Sequence, residues 1–226
     1  MNLIILSLTP VFIIAFYIYY RDKYEKEPIG LLLESVLAGV FICLPVIFME
    51  RFLSTFSGLF GIYKPAYEAF AVAAFTEELF KFLVLYLLIW KNRNFNEKFD
   101  GMVYAVFISL GFAGIENVMY VVRNGVTTGW IRAFTAVPLH AIAGIIMGYY
   151  FGLAKFFPEF RRRYLRLSLL VPILIHGIYD FIIMSKHVRL LVLFIPFLTY
   201  IYIIGFRKMK TLSEDDAHWR FKQKTE

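Results

Sequence analysis

Glu77, Glu78 and Lys81 stand near the middle of an apolar run from Tyr67 to Trp90. On a helix the four-residue step sets Glu77 and Lys81 about 40° apart, with Glu78 about 60° from Lys81, so all three share one face. Two neighbouring carboxylates in a low-dielectric, partly wet pocket cannot both ionise cheaply, so one should hold a proton near neutrality. That condition suits a general base, which takes a proton from water and returns it to a leaving amine. His176 and Asp180 are again one turn apart on one face, His140 lies in another apolar stretch, and Glu116-Asn117 follow Phe112-Ala113-Gly114-Ile115. A neutral imidazole or a protonated acid among these would donate to a developing oxyanion. The pattern reads as a peptide-hydrolysis site. Glu77 or Glu78 is the base, and His176 and His140 are donors or water-orienting groups. Glu116 and Asp180 are further members, with Lys81 and Asn117 in support.

Other chemistries use similar residues. His140, His176 and Glu78 offer the nitrogen and oxygen ligands of a catalytic zinc with one position left for water. No His-Glu-x-x-His helix brings two of them together, so a site without a cofactor is preferred and zinc is the alternative. A buried structural ion pair accounts for Glu77, Glu78 and Lys81 without any chemistry. A proton-coupled transporter also buries Glu, Lys and His, but its inverted repeats with broken helices are not legible here. A non-enzymatic binding or immunity protein would keep the residues and lack hydrolysis.

The elements that carry these groups are membrane helices. Of 226 residues, 60% are hydrophobic and 19% aromatic, and the mean hydropathy is +0.65, beyond a soluble domain of that length. A charge at a helix centre costs roughly 2.5 to 3.5 kcal/mol, so three cost about 9, while a dozen large apolar residues return only about 5. The run from Tyr67 therefore needs neighbouring helices that offer partners. Stretches long enough to cross about 30 Å of hydrocarbon fall at about 2–20, 31–53, 67–90, 101–122, 131–153, 164–184 and 188–206. The expectation is an all-α polytopic protein of about seven transmembrane helices in one bundle (1–210), followed by a polar cytoplasmic tail (211–226). The first stretch has no basic n-region or small-residue cleavage site and is expected to stay as an anchor.

Of the 24 lysines and arginines, 17 fall on one side of these spans and 6 on the other, Lys81 lying within the third. That bias sets the N-terminus outside and the C-terminus in the cytoplasm. It also explains a pI of about 9.4 without a nucleic-acid partner, since no basic soluble face remains. Membrane lipids are the expected surroundings. The single cysteine, Cys43, excludes an intrachain disulfide and a cysteine metal site. Small residues at four-residue spacing, Gly144, Gly148 and Gly152 in one span and Gly101, Ala105, Ser109 and Ala113 in another, point to closely packed helix faces. His140 and Asn117 continue those lines, so the polar groups should face inward. Counted from the outer span ends, Glu77, Glu116, His140, His176 and Asp180 lie at depths of about 15, 10, 14, 12 and 6 Å, one zone of the outer half of the bilayer.

Taken together, Glu77-Glu78-Leu79-Phe80-Lys81, Phe112 to Glu116-Asn117, Pro138-Leu139-His140-Ala141 and His176-Gly177-Ile178-Tyr179-Asp180 resemble the PrsW family of bacterial membrane proteases. Glu25-Lys26-Glu27-Pro28 and Asp100-Gly101 extend the likeness over nearly the whole chain, in order. The sequence is more distantly similar to CAAX prenyl endopeptidases and bacteriocin-immunity (Abi) membrane proteins. The resemblance implies that Glu77 and Glu78 fall at the paired-glutamate position that activates water, and His176 with Asp180 at the late motif tied to oxyanion stabilisation. It also implies an anti-sigma factor, a single-pass membrane protein, as substrate, cut on its extracytoplasmic side in the first of two cleavages. The chain departs from the wider group at three points. Glu116 stands where a histidine follows the phenylalanine by four residues, which leaves His140, from another helix, as the second histidine or leaves none. Asp180 stands where an amide is often found. Lys81 replaces an arginine and sits one residue nearer the glutamates, keeping the charge and losing the bidentate fork.

Overall fold

A computed structural model describes residues 2–23 and 25–225, with side chains through Glu214. Among these residues the structure is helical, without strands. Helix α1 spans Leu3–Arg21 and starts at Asn2, whose side chain accepts from the Ile4 N–H at 3.0 Å. Helix α2, Ile29–Ser54, begins directly after Pro28. A π-helical segment, Tyr67–Ala74, runs without a break into α3, Phe75–Ile89. Helix α4, Lys98–Asn124, opens with a reciprocal cap between Glu97 and Asp100 and closes at Gly125, whose φ of 85° ends the helical run. The short α5, Val126–Phe134, is separated from α6, Ala136–Phe156, by a break at Thr135. Helix α7 spans Arg161–Met184, α8 Val188–Val192 and α9 Phe194–Thr225.

Among the described residues, five stretches are long and apolar enough to cross a membrane: Leu3–Arg21, Ile29–Ser54, Lys98–Asn124, Val126–Phe156 and Pro158–Met184. Two of the seven expected spans differ from this set. Residues 67–89 form two consecutive helical segments with three buried charges in the second, and the last apolar stretch is the beginning of the longer α9. The fifth expected span is split at Thr135, so that α5 is a separate short helix. The polar tail expected over 211–226 continues α9 as far as Thr225, and its side chains from Asp215 on lie outside the described residues. Large apolar side chains cover the outside of the bundle, Phe16 (71% exposed) and Leu87 (79%) among them, as a surface in contact with lipid requires.

The centre of the bundle is α4, buried along most of its length. Close approach of backbones places its neighbours. A Cβ on Gly148 of α6 would meet the Met102 Cα at 2.3 Å, and one on Gly152 would meet the Lys98 carbonyl oxygen at 2.3 Å, so only glycine permits α6 to lie this close to α4. Gly39 and Gly111 do the same between α2 and α4, each with its missing Cβ about 2 Å from the other helix's carbonyl oxygen. Gly177 of α7 lies against the Phe70 ring in the π-helical segment, which brings α7 beside α3. With α3, α6 and α7 seated around α4, the polar residues of four helices meet at one end of the bundle. At the other end the α1–α2 connection is tied to α4 by the Tyr104 hydroxyl, which donates to Glu27, and is closed on itself by Asp22, which accepts from the Glu27 N–H at 3.2 Å.

Candidate functional site

Lys81 is the hub of the site. Its side chain is fully buried, and its ammonium donates to Glu78 Oε1 at 2.8 Å, to Glu77 Oε2 at 3.2 Å and to His140 Nδ1 at 3.0 Å. It also lies 4.4 Å from the centre of the Phe112 ring. The charge that would make α3 a poor membrane helix is thus met on every side. Because Nδ1 of His140 faces a group that has only protons to offer, it accepts, and the ring carries its proton on Nε2. That Nε2–H donates to Glu116 Oε2 at 3.0 Å. His140 is therefore the neutral imidazole of a chain that runs from α3 through α6 to α4.

His176 occupies the opposite wall. Its Nδ1 donates to Glu78 Oε1 at 2.9 Å and lies 3.9 Å from Glu77 Oε2, while its Nε2 lies 3.3 Å from Asp180 Oδ2. A ring with a carboxylate at each nitrogen is held as imidazolium whenever both partners are ionised. The two histidine rings stand perpendicular, centres 5.1 Å apart. Asp180, in the position where an amide would donate, instead orients His176.

The two glutamates have different surroundings. Glu78 is fully buried, with one oxygen shared between Lys81 and His176 and the other, Oε2, without a partner. Glu77 lines a cavity of about 400 Å³ that also touches Glu116, His140, His176 and Asp180 and reaches the helix ends at Arg51, Arg123 and Met184. Of the pair, Glu77 can meet a substrate and a water molecule.

Glu77, Glu78, Lys81, His140, His176, Asp180 and Glu116 thus form one connected set. Asn117 is turned away from it. Its Nδ2 donates to the Ser7 carbonyl of α1 at 2.8 Å, and its Oδ1 accepts from Arg132 Nε at 2.9 Å. Five charged residues at the cavity are not singled out by the sequence: Glu50, Arg51, Glu68, Arg123 and Arg132. Of these, Arg132, at the outer end of the fifth expected span, reaches Glu116 Oε2 with its guanidinium at 2.6 Å. Gly125 ends α4 ahead of the short amphipathic segment that carries Arg132.

One oxygen or nitrogen from each of Glu77, Glu78, His140 and His176 lies within 4.8 Å of the others, and two imidazoles with carboxylates are donors that zinc accepts. Each imidazole is also backed by a carboxylate at Nε2, Glu116 for His140 and Asp180 for His176, as metal-bound histidines are. The centre of this set, however, is where the Lys81 ammonium bonds to three of the four donors. A divalent ion held by the same atoms would face that ammonium at close range in a low-dielectric site, a strong repulsion. With Lys81 in this position its ammonium takes the place that an ion would hold among the four donors.

The sequence profile of the PrsW family intramembrane metalloprotease matches residues 27–205. The chain is 40% identical over 185 residues to Protease PrsW of Geobacillus kaustophilus, covering 82% of this chain and 81% of the relative. It is 34% identical over 216 residues to Protease PrsW of Halalkalibacterium halodurans, covering 95% and 99%. Identity to Protease PrsW of Bacillus subtilis is 34% over 205 residues, covering 90% and 92%. No solved structure matches the chain significantly.

Proposed function

The chain belongs to the PrsW family of intramembrane proteases, as a multi-pass protein of the bacterial membrane, and we propose that it hydrolyses peptide bonds with a water molecule activated by Glu77. The observation that carries this reading is the Lys81 ammonium bonded to Glu77, Glu78 and His140. The site has its own cation, so the carboxylate at the cavity wall is charge-balanced without a metal. In this mechanism Glu77 takes a proton from water as the water oxygen bonds to the carbonyl carbon. The carbonyl oxygen takes up the electron pair and is met by the His176 Nε2–H, whose contact with Asp180 Oδ2, at 3.3 Å, is longer than that of Nδ1 with Glu78 Oε1, at 2.9 Å. The tetrahedral intermediate then collapses, the C–N bond breaks, and the proton on Glu77 passes to the departing amine. Glu78 stays in place and anchors Lys81 and His176.

The substrate on this reading is a single-pass membrane anti-sigma factor cut on its extracytoplasmic side. Support comes from the resemblance of the motifs and from the cavity, which reaches the surface at the helix ends opposite the lysine- and arginine-rich connections. The test is cleavage of the cell's own single-pass anti-sigma factors, each reconstituted with the purified protein. Cleavage of one of them that is lost in Glu77→Gln is expected. Cleavage that persists in both Glu77→Gln and Glu78→Gln overturns the mechanism.

The second reading is a zinc protease, favoured by the family's description as a metalloprotease and by the carboxylates behind both histidines. There Glu77, Glu78, His140 and His176 would hold the ion after Lys81 had withdrawn, and the ion would polarise the scissile carbonyl.

A further inference from the structure

Arg132 meets three groups on α4. Its Nη2 donates to Glu116 Oε2 at 2.6 Å, its Nε donates to Asn117 Oδ1 at 2.9 Å, and its guanidinium lies over the Tyr120 ring, 4.1 Å from the centre. Glu116 Oε2 is the same oxygen that accepts from His140 Nε2. Lys81 at Nδ1 keeps the proton of His140 on Nε2, and with that oxygen fixed the Nε2–H has a fixed acceptor, so the plane of the ring is held. Arg132 fixes that oxygen from α5, whose nine residues are too short to cross a membrane by themselves. Trp130, Ile131 and Phe134 of α5 are exposed, and Gly129 fits against the Leu6 side chain of α1. The helix lies as an amphipathic interfacial segment does, apolar groups outward and its one cation turned into the bundle.

We infer that Arg132 is a positioning residue: through Glu116 it fixes the ring of His140, and so ties the reaction centre to the seating of α5. No other cation lies within bonding distance of Glu116 among the described residues. Lysine at this position would keep the charge and lose the fork that serves Glu116 and Asn117 together. Glutamine would leave the carboxylate with His140 alone.

The inference rests on the proposed function only in that it takes His140 to belong to the reaction centre, and its test has an arm that needs no substrate. Protein with ¹⁵N-labelled histidine is reconstituted in nanodiscs, and the His140 ring resonances are assigned by difference with His140→Gln. The wild type should show the Nε2–H tautomer. Arg132→Gln leaves Lys81 at Nδ1 and so keeps the tautomer, but it should broaden and shift the Nε2–H resonance as Glu116 loses its fixed place, and Arg132→Lys should do so less. Cleavage of a co-reconstituted single-pass anti-sigma factor should fall about 10- to 100-fold in kcat with little change in KM for Arg132→Gln. The double variant Glu116→Gln/Arg132→Gln, which leaves no lone buried charge, controls for loss of folding and should share the shifted Nε2–H resonance. An unchanged His140 signature in Arg132→Gln and in the double variant overturns the inference. A changed signature with unchanged cleavage overturns the tie to the reaction centre and leaves the Glu77 mechanism, in which His140 takes no step, standing.

Discussion

At the scale of residues, Glu77 and Glu78 are chemically alike and placed differently. Glu77→Gln keeps size and hydrogen bonding and removes the base, so cleavage should fall at least about 100-fold while the melting temperature in detergent stays near that of the wild type. Glu78→Gln removes the buried partner of both Lys81 and His176. It should cost about 3 to 5 kcal/mol of stability, visible as a lower melting temperature before any effect on turnover is considered. Lys81→Met removes the ammonium and keeps most of the stem. The four donors of Glu77, Glu78, His140 and His176 then surround no cation, and added zinc should raise the melting temperature of the variant and not of the wild type. No zinc effect on Lys81→Met would show that the donors are not arranged for a metal even without the lysine. The paired glutamates and Lys81 were legible because charges at one-turn spacing in an apolar run have few explanations. Which glutamate faces the cavity was not legible, because both lie on the same helical face and only packing separates them.

At the scale of elements, the glycine stripe of α6 sets how near His140 comes to Glu116 and Lys81. Gly148→Val would force a side chain into the Met102 backbone, and overpacking of this kind costs about 1 to 3 kcal/mol or more. Lower thermal stability together with reduced cleavage is expected. Gly30→Ala is the matched control, because nothing lies within 4 Å of its Cβ, and it should leave both unchanged or raise stability slightly. The stripes on α4 and α6 could be read from four-residue spacing, which is why the inward direction of His140 was also readable. Helix α5 was not, because a short amphipathic helix followed by a break at Thr135 has the same apolar content as the start of a longer span. The π-helical turns of Tyr67–Ala74 were equally silent, since hydropathy does not distinguish a π turn from an α turn. Asn117 lay on the predicted stripe, but its amide serves α1 and Arg132 in place of the histidines.

At the scale of the whole molecule, the site end depends on the far end holding α1, α2 and α4 together. There, burial raises the Asp22 carboxyl from its ordinary value of 3.8 to about 6 and that of Glu27 from 4.5 to about 7, with the neighbouring Glu25 adding to both. A carboxyl raised in the folded state binds its proton more tightly there than in the unfolded chain, so its contribution favours folding at low pH and is lost as pH rises. The window is about 4 to 7. Melting temperature compared between wild type and Glu27→Gln across that range should show a wild-type excess loss of stability toward pH 7 that the variant lacks. Parallel curves would contradict it. The all-helical membrane character of the chain followed from composition alone, since an apolar fraction of 60% leaves no soluble core to build. The number of helices long and apolar enough to cross did not, because residues 67–89 form two consecutive helical segments, the second of which carries its charges into the bundle.

The most direct measurement is cleavage by purified, reconstituted protein after exhaustive chelation, with bound zinc determined on the same sample. If Lys81 is the resident cation and Glu77 the base, cleavage proceeds at the untreated rate with far less than one zinc per chain. Cleavage abolished by chelation and restored by stoichiometric zinc would contradict the account and assign the chemistry to the metal.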